Sequence, residues 1–140
     1  MGRRGLQTLL ITLGCVALVF GALGMVMGAG FVPGPGGFSP NIDSEFRFFA
    51  TWYAIVGFLI LRAVPNLESQ ASVIRALSVG AFLAGCTRAV SWVVVGTPDQ
   101  TFVVLMAIEL AIPFVVLPWL AAVIREARPN GISQDVRRAL

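Results

Sequence analysis

Histidine and lysine are absent, tyrosine occurs once, cysteine twice, and charged residues make up 12% of the 140-residue chain. Each scarcity excludes something. A soluble domain carries roughly 25% charged residues, so a chain at half that level does not read as a water-facing globule. Without His, and with Cys15 and Cys86 isolated in different apolar segments, no zinc or iron site has enough ligands. The same poverty leaves no nucleophile–base pair and hence no enzyme signature. The two thiols read as small residues packed between helices, because a bilayer interior gives a thiol no route to thiolate. No cofactor motif is present.

What is there is apolar. Hydrophobic residues make up 57% of the chain. All ten basic residues are Arg, which together with abundant Ala, Gly and Val is the composition of a GC-rich bacterial genome. The pI near 9.7 does not point to nucleic acid, since the arginines flank apolar segments and form no stripe on a soluble face. A helix needs about 20 apolar residues to span a bilayer, and four segments meet that length: Gly5 to Val32, Phe46 to Val64, Val73 to just before Gly96, and Thr101 to Ile124. A Pro/Gly loop, "FVPGPGGFSPN", and two short turns, "PNLESQAS" and "GTPDQ", separate them. Turns that short make consecutive helices antiparallel neighbours. The expected fold is all-α, an integral membrane four-helix up-down bundle over residues 1–124. A short cytoplasmic tail follows over 125–140.

Orientation follows from arginine placement. Arg3, Arg4, Arg62, Arg75, Arg125, Arg128, Arg137 and Arg138 fall on one side; Arg47 falls on the other, beside Asp43, Glu45 and Asp99. Both termini are therefore expected in the cytoplasm, with the protein in the cell (inner) membrane. The four arginines of the tail favour anionic headgroups. "RRGLQ" resembles a twin-arginine signal, but its apolar run exceeds a signal's roughly 7–15 residues. "TLGC" departs from a lipoprotein box at Thr12, and "MGRRGL" lacks the hydroxyl residue of a myristoylation motif. The first segment is thus expected to stay as a span. Its glycines, including the Gly24–Gly28 pair, suit close packing inside the bundle.

Two charges fall inside the spans. If Arg88 ended the third segment, only Ala76 to Thr87 would remain, too short to cross; Leu110 to Ile124 is likewise too short without Glu109. Arg88 lies ten residues before Pro98 and Glu109 eleven after it, so both reach similar depth on antiparallel neighbours. An isolated intramembrane charge costs about 2.5–3.5 kcal/mol on insertion scales, and a bidentate guanidinium–carboxylate pair offsets it. An Arg88–Glu109 pair is the expectation. Spacing by three and four puts Ala81, Ala84, Gly85, Arg88, Ser91 and Trp92 on one inward face and leaves Val90, Val93 and Val94 to lipid. The outer half would then gather Glu45, Arg47, Arg88 and Glu109, with Ser91, Thr51, Thr87 and Tyr53 as candidate donors. Pro113 and Pro118 are expected to kink the fourth helix. Trp52, Tyr53, Trp92 and Trp119 read first as interface belts.

Glu45-Phe46-Arg47, Arg88-Ala89-Val90-Ser91 followed by Gly96-Thr97-Pro98, and Glu109 resemble a bacterial family of small four-helix membrane proteins related to the DoxX-like group, domain of unknown function 4345. The resemblance covers roughly Gly5 to Ile124. That family usually places Gly before the third-span arginine and Gly-rich sequence after the Glu-x-Arg, where this chain has Thr87 and Phe48-Phe49. The resemblance implies the four-span fold and no activity, ligand or partner. Two functions stay open: a polar pocket in the outer half that binds a small or amphipathic ligand, or an accessory subunit of a larger membrane complex whose Arg/Glu cluster only clamps the helices.

Overall fold

The computed structural model describes residues 2–32 and 37–127. Four helices follow in chain order: α1 (Arg3–Met27), α2 (Pro40–Ala63), α3 (Ala71–Val95) and α4 (Gln100–Ala127). Short 3-10 turns lie at Gly28–Phe31 and Val64–Asn66, and no strand occurs among the described residues. Each helix is long and apolar enough to cross a membrane. The fold is the expected all-α arrangement of antiparallel helices.

The largest difference from the expected boundaries is at α2, which starts six residues before Phe46. Its start is fixed by capping chemistry rather than apolarity. The Ser39 hydroxyl accepts from the Ile42 N–H at 3.3 Å, Pro40 occupies the first turn, and Asp43 places a negative charge at the positive end of the helix. Trp52 and Tyr53 consequently fall near the middle of α2 rather than at an interface, against the belt reading for those two. Helix α4 runs unbroken through Pro113 and Pro118 and continues three residues past Ile124. The rest of the expected tail, with Arg128, Arg137 and Arg138, lies outside the described residues.

The helices pack as two pairs, α1 with α2 and α3 with α4, and the pairs touch each other much less than their members do. Helices in lipid gain little from the hydrophobic effect and associate through close packing of small residues. The α1–α2 seam is built that way. A Cβ at Gly21 would collide with the backbone of Ala54, and one at Gly14 would lie 2.9 Å from the Leu61 side chain. From the α2 side, a Cβ at Gly57 would meet the backbone of Leu18. The glycines of α1 therefore serve packing inside the bundle. Cys15 is exposed and Cys86 half-buried, both free thiols, so Cys15 is not the interhelical packing residue the sequence suggested.

The two pairs meet at the end where the described chain begins. Leu6, Leu10, Val64, Leu67, Val116 and Leu120 form a continuous core there, closed by Ala71, Ile74 and Val123. Polar ties reinforce the same end. Gln7 donates to the Val64 carbonyl at 3.2 Å, and Arg3 bonds both the Glu68 carboxylate and the Pro65 carbonyl. Among the described residues no comparable core exists at the opposite end, where the buried apolar side chains are small. The bundle is tight at one end and splayed at the other.

Candidate functional site: an aromatic cleft with an Arg–Glu wall

The splay opens a cleft of about 320 Å³. Every helix contributes: Phe20 from α1, Phe46, Phe49 and Tyr53 from α2, Arg88 from α3, Phe102 and Leu105 from α4. Phe31, from the turn after α1, stacks edge-on against Phe20 at 5.6 Å between ring centres. Phe49 remains 63% exposed while lining the cleft, so the cavity is open rather than enclosed.

Arg88 and Glu109 form one wall. Arg88 Nε donates to Glu109 Oε2 at 2.8 Å and Nη2 to Oε1 at 3.4 Å. The side-on bidentate geometry follows from local packing. Gly85, buried and one turn before Arg88, lets α4 approach so closely that a Cβ would lie 2.9 Å from Leu110 Cγ. Edge-to-face contact between Phe82 and Phe114 at 5.8 Å holds the same seam further along. The Glu109 side chain is 7% exposed and that of Arg88 33%, so the carboxylate sits behind the guanidinium and only the latter reaches the cleft. Phe102 lies 5.7 Å from the guanidinium carbon, within cation–π range. Pro113 carries no N–H, which deprives the Glu109 carbonyl of its usual donor four residues on.

The other expected cluster members go elsewhere. Arg47 turns away from the cleft: Nε donates to Asp43 Oδ2 at 2.8 Å, and Nη1 donates to the carbonyls of Met25 at 2.6 Å and Val26 at 3.0 Å. Those carbonyls end α1 and have no partner within the helix, so a cation there also meets the negative end of the helix dipole. Asp43 completes the joint by accepting from the Ala29 N–H at 2.8 Å. Gly28, at φ 64°, makes room for it; a Cβ would strike the Asp43 carboxylate. Arg47 is thus a clamp between α1 and α2, and its acid is Asp43 rather than Glu45. Glu45 is exposed in the first turns of α2. Thr51 donates to the Arg47 carbonyl at 2.9 Å and Thr87 to the Ala84 carbonyl at 2.8 Å, both within their own helices. Ser91 is exposed.

The α3 face is therefore rotated from the expected one. Its buried line is Ala71, Ile74, Ser78 and Gly85. At about 100° per residue, Arg88 lies about 60° from Gly85 and stays in reach of the seam, while Ser91 lies about 120° round and leaves it. Ala84, about 100° round, is exposed for the same reason. Trp92 lies within about 20° of the Gly85 direction but is exposed near the end of α3, where it donates to the Thr97 hydroxyl at 3.2 Å. Val90, Val93 and Val94 point outward as expected.

Of the predicted residues, the structure brings Arg88, Glu109 and Tyr53 to the cleft and its wall. The aromatic lining went unread, although seven of the ten phenylalanines, Phe20, Phe31, Phe38, Phe46, Phe48, Phe49 and Phe102, crowd the same half. The cleft is thus mainly apolar, not the polar pocket the charges suggested. No group of three His, Cys, Asp or Glu side chains able to hold a metal occurs among the described residues. At the helix connections two carboxylates are held below their usual range: Glu68 by its own backbone N–H and then by Arg3, Asp99 by the backbone and side chain of Thr101.

Four membrane-length helices, closed at one end and parted at the other around an open aromatic cleft walled by an Arg–Glu pair, define a multi-pass membrane protein. Within that class the chain belongs to the family described as Domain of unknown function (DUF4345), whose profile matches residues 5–120. No curated protein and no solved structure matches it.

Proposed function

We propose that this chain is a bacterial inner-membrane protein, both termini cytoplasmic, that binds a small amphipathic molecule in the cleft of its outer half. The observation carrying this reading is the cleft: about 320 Å³, lined from all four helices, with one charged group, the Arg88 guanidinium, on a wall that is aromatic and aliphatic apart from Tyr53 and Thr101. Ligand sites run roughly 300–1,000 Å³, mostly apolar with a few fixed polar groups, and the cleft fits the lower end of that range. An intramembrane ionisable pair beside a cavity favours a site over a bare anchor. No catalytic step and no cofactor are part of this reading; the kinship with the DoxX-like group is.

The test is direct. In lipid nanodiscs, the neutral fluorophore N-phenyl-1-naphthylamine should bind the protein saturably, and Leu105→Trp, which fills the cleft, should abolish the saturable part. Equal signals from both proteins would sink the reading.

A second reading, an accessory subunit of a larger membrane complex, is favoured by one feature. Ala76, Gly80, Ala84, Thr87 and Ser91 form an exposed small-residue line on α3, of the kind against which another helix packs closely. A membrane protein that crosslinks to Gly80→Cys in cells, together with a cleft that binds no fluorophore, would favour it.

A further inference from the structure

We infer that the cleft selects an uncharged amphiphile whose polar end is a hydrogen-bond acceptor such as a carbonyl oxygen, and discriminates against anions. The inference rests on the ligand-binding reading above and specifies the chemistry of that same site. A guanidinium in a greasy cleft first suggests a carboxylate or phosphate ligand; the geometry argues otherwise. The charge of Arg88 is already matched by Glu109, held at 2.8 Å and 7% exposed. Arg88 is the only charged residue lining the cleft among the described residues, and the next arginine on this side, Arg47, is spent on Asp43 and the end of α1. An anion entering here meets a neutral pair, with a fixed carboxylate behind the guanidinium. It would lose its hydration without gaining a net opposite charge.

A neutral acceptor faces different arithmetic. Two of the five guanidinium N–H groups are directed at Glu109, through Nε and Nη2. Nη1 makes no hydrogen bond among the described residues, and neither does the Tyr53 hydroxyl on the same lining. The open polar capacity of the cleft is thus dominated by donors. Pairing with Glu109 leaves Arg88 charged, so a bond to it is charge-assisted and stronger than one between neutral groups. A carbonyl oxygen satisfies the open donors, costs far less to dehydrate than an anion, and leaves the charge balance untouched. The remaining surface, Phe20, Phe46, Phe49, Phe102 and Leu105, suits a hydrocarbon or ring system. At ~30 Å³ per small molecular unit such as a water, a cleft of about 320 Å³ takes a chain of roughly ten methylene units, so ten-carbon probes match it.

The experiment compares 2-decanone, decanoate and decane as displacers of N-phenyl-1-naphthylamine from the full chain in phosphatidylcholine nanodiscs. It is run at about pH 8, where a carboxylate is ionised, with concentrations expressed as mole fraction in the bilayer. The ketone is expected to displace at roughly tenfold lower mole fraction than decane, the scale of one hydrogen bond to a charged group. Decanoate should do no better than decane. Carbon-13-labelled ketone should also show a second carbonyl infrared band, shifted to lower frequency by hydrogen bonding, that unlabelled ketone removes and that decane removes only at roughly tenfold higher mole fraction. In the double variant Arg88→Leu with Glu109→Leu, both the ketone advantage and the band should vanish while decane still displaces. The band in the natural protein keeps the inference falsifiable if that variant does not fold. Decanoate outperforming the ketone would overturn the inference in favour of an anion site. Equal displacement by ketone and decane, with no shifted band, would overturn it while leaving an apolar ligand cleft standing. Failure of all three to displace would overturn both.

Discussion

Arg88 and Glu109 each lie too deep for water to serve them fully, and each is tolerable there because of the other. Breaking a buried ion pair by removing one partner costs about 3–5 kcal/mol, whereas replacing both by apolar residues is often near neutral. The one-third exposure of Arg88 places this pair at or below the lower bound. Arg88→Leu and Glu109→Leu are therefore each expected to lower the thermal midpoint in detergent, and the double variant to recover most of the loss. If the two losses simply add in the double-variant cycle, the residues share no interaction. The pair was legible in the sequence because helix rise and turn length fix depth, and depth decides which charges meet across an antiparallel seam. The role of Arg47 was not legible in the same way. Its partners are two main-chain carbonyls of Met25 and Val26, and main-chain acceptors leave no mark in a sequence. Ser91 was misplaced for a third reason: spacing by three and four selects a broad face, and only the contact at Gly85 says where on that face α4 sits.

At the scale of the element, α1 and α2 behave as one ribbed unit, with Gly21 and Gly57 set against backbone rather than against yielding side chains. Nothing at Gly21 can move aside without separating the helices. Gly21→Val should cost about 1–3 kcal/mol by overpacking and lower the thermal midpoint accordingly. Gly80 is the matched control. It lies in α3, and a Cβ there would meet nothing within 4 Å, so Gly80→Ala should be neutral or slightly stabilising through the entropy glycine loses on folding. A midpoint for Gly21→Val equal to that of the natural protein would mean that the seam is looser than drawn. Helix existence was plain from apolar length, yet the start of α2 was not. Hydropathy marks where a segment enters lipid; Ser39 and Pro40 mark where the backbone begins to turn, and the two differ by six residues here. The aromatic lining was hidden by the same limitation. Phenylalanine suits lipid, core and cleft alike, and only the parting of the helix pairs decides among them.

The whole molecule is polar in a literal sense, and both its shape and its orientation follow from which end carries what. The closed end holds Leu6, Leu67 and Leu120 at full burial, with Arg3 tied to Glu68; the open end holds the cleft, with Asp43, Glu45 and Asp99 at the helix starts. Arg3, Arg4, Arg62, Arg75 and Arg125 all fall at the closed end, and arginine-rich ends remain on the cytoplasmic side during insertion. The antiparallel order puts the first and last helices' outer ends on that same side, so four spans and a cytoplasmic closed end make a single joint expectation. Alkaline phosphatase fused after Gly37, between α1 and α2, should be active, and fused after Leu140 inactive; green fluorescent protein at the same two points should give the reverse. Activity of phosphatase at Leu140 would invert the molecule and turn the cleft toward the cytoplasm. Activity at both points would break the four-span arrangement itself. With the expected pattern, the cleft opens into the outer half of the bilayer.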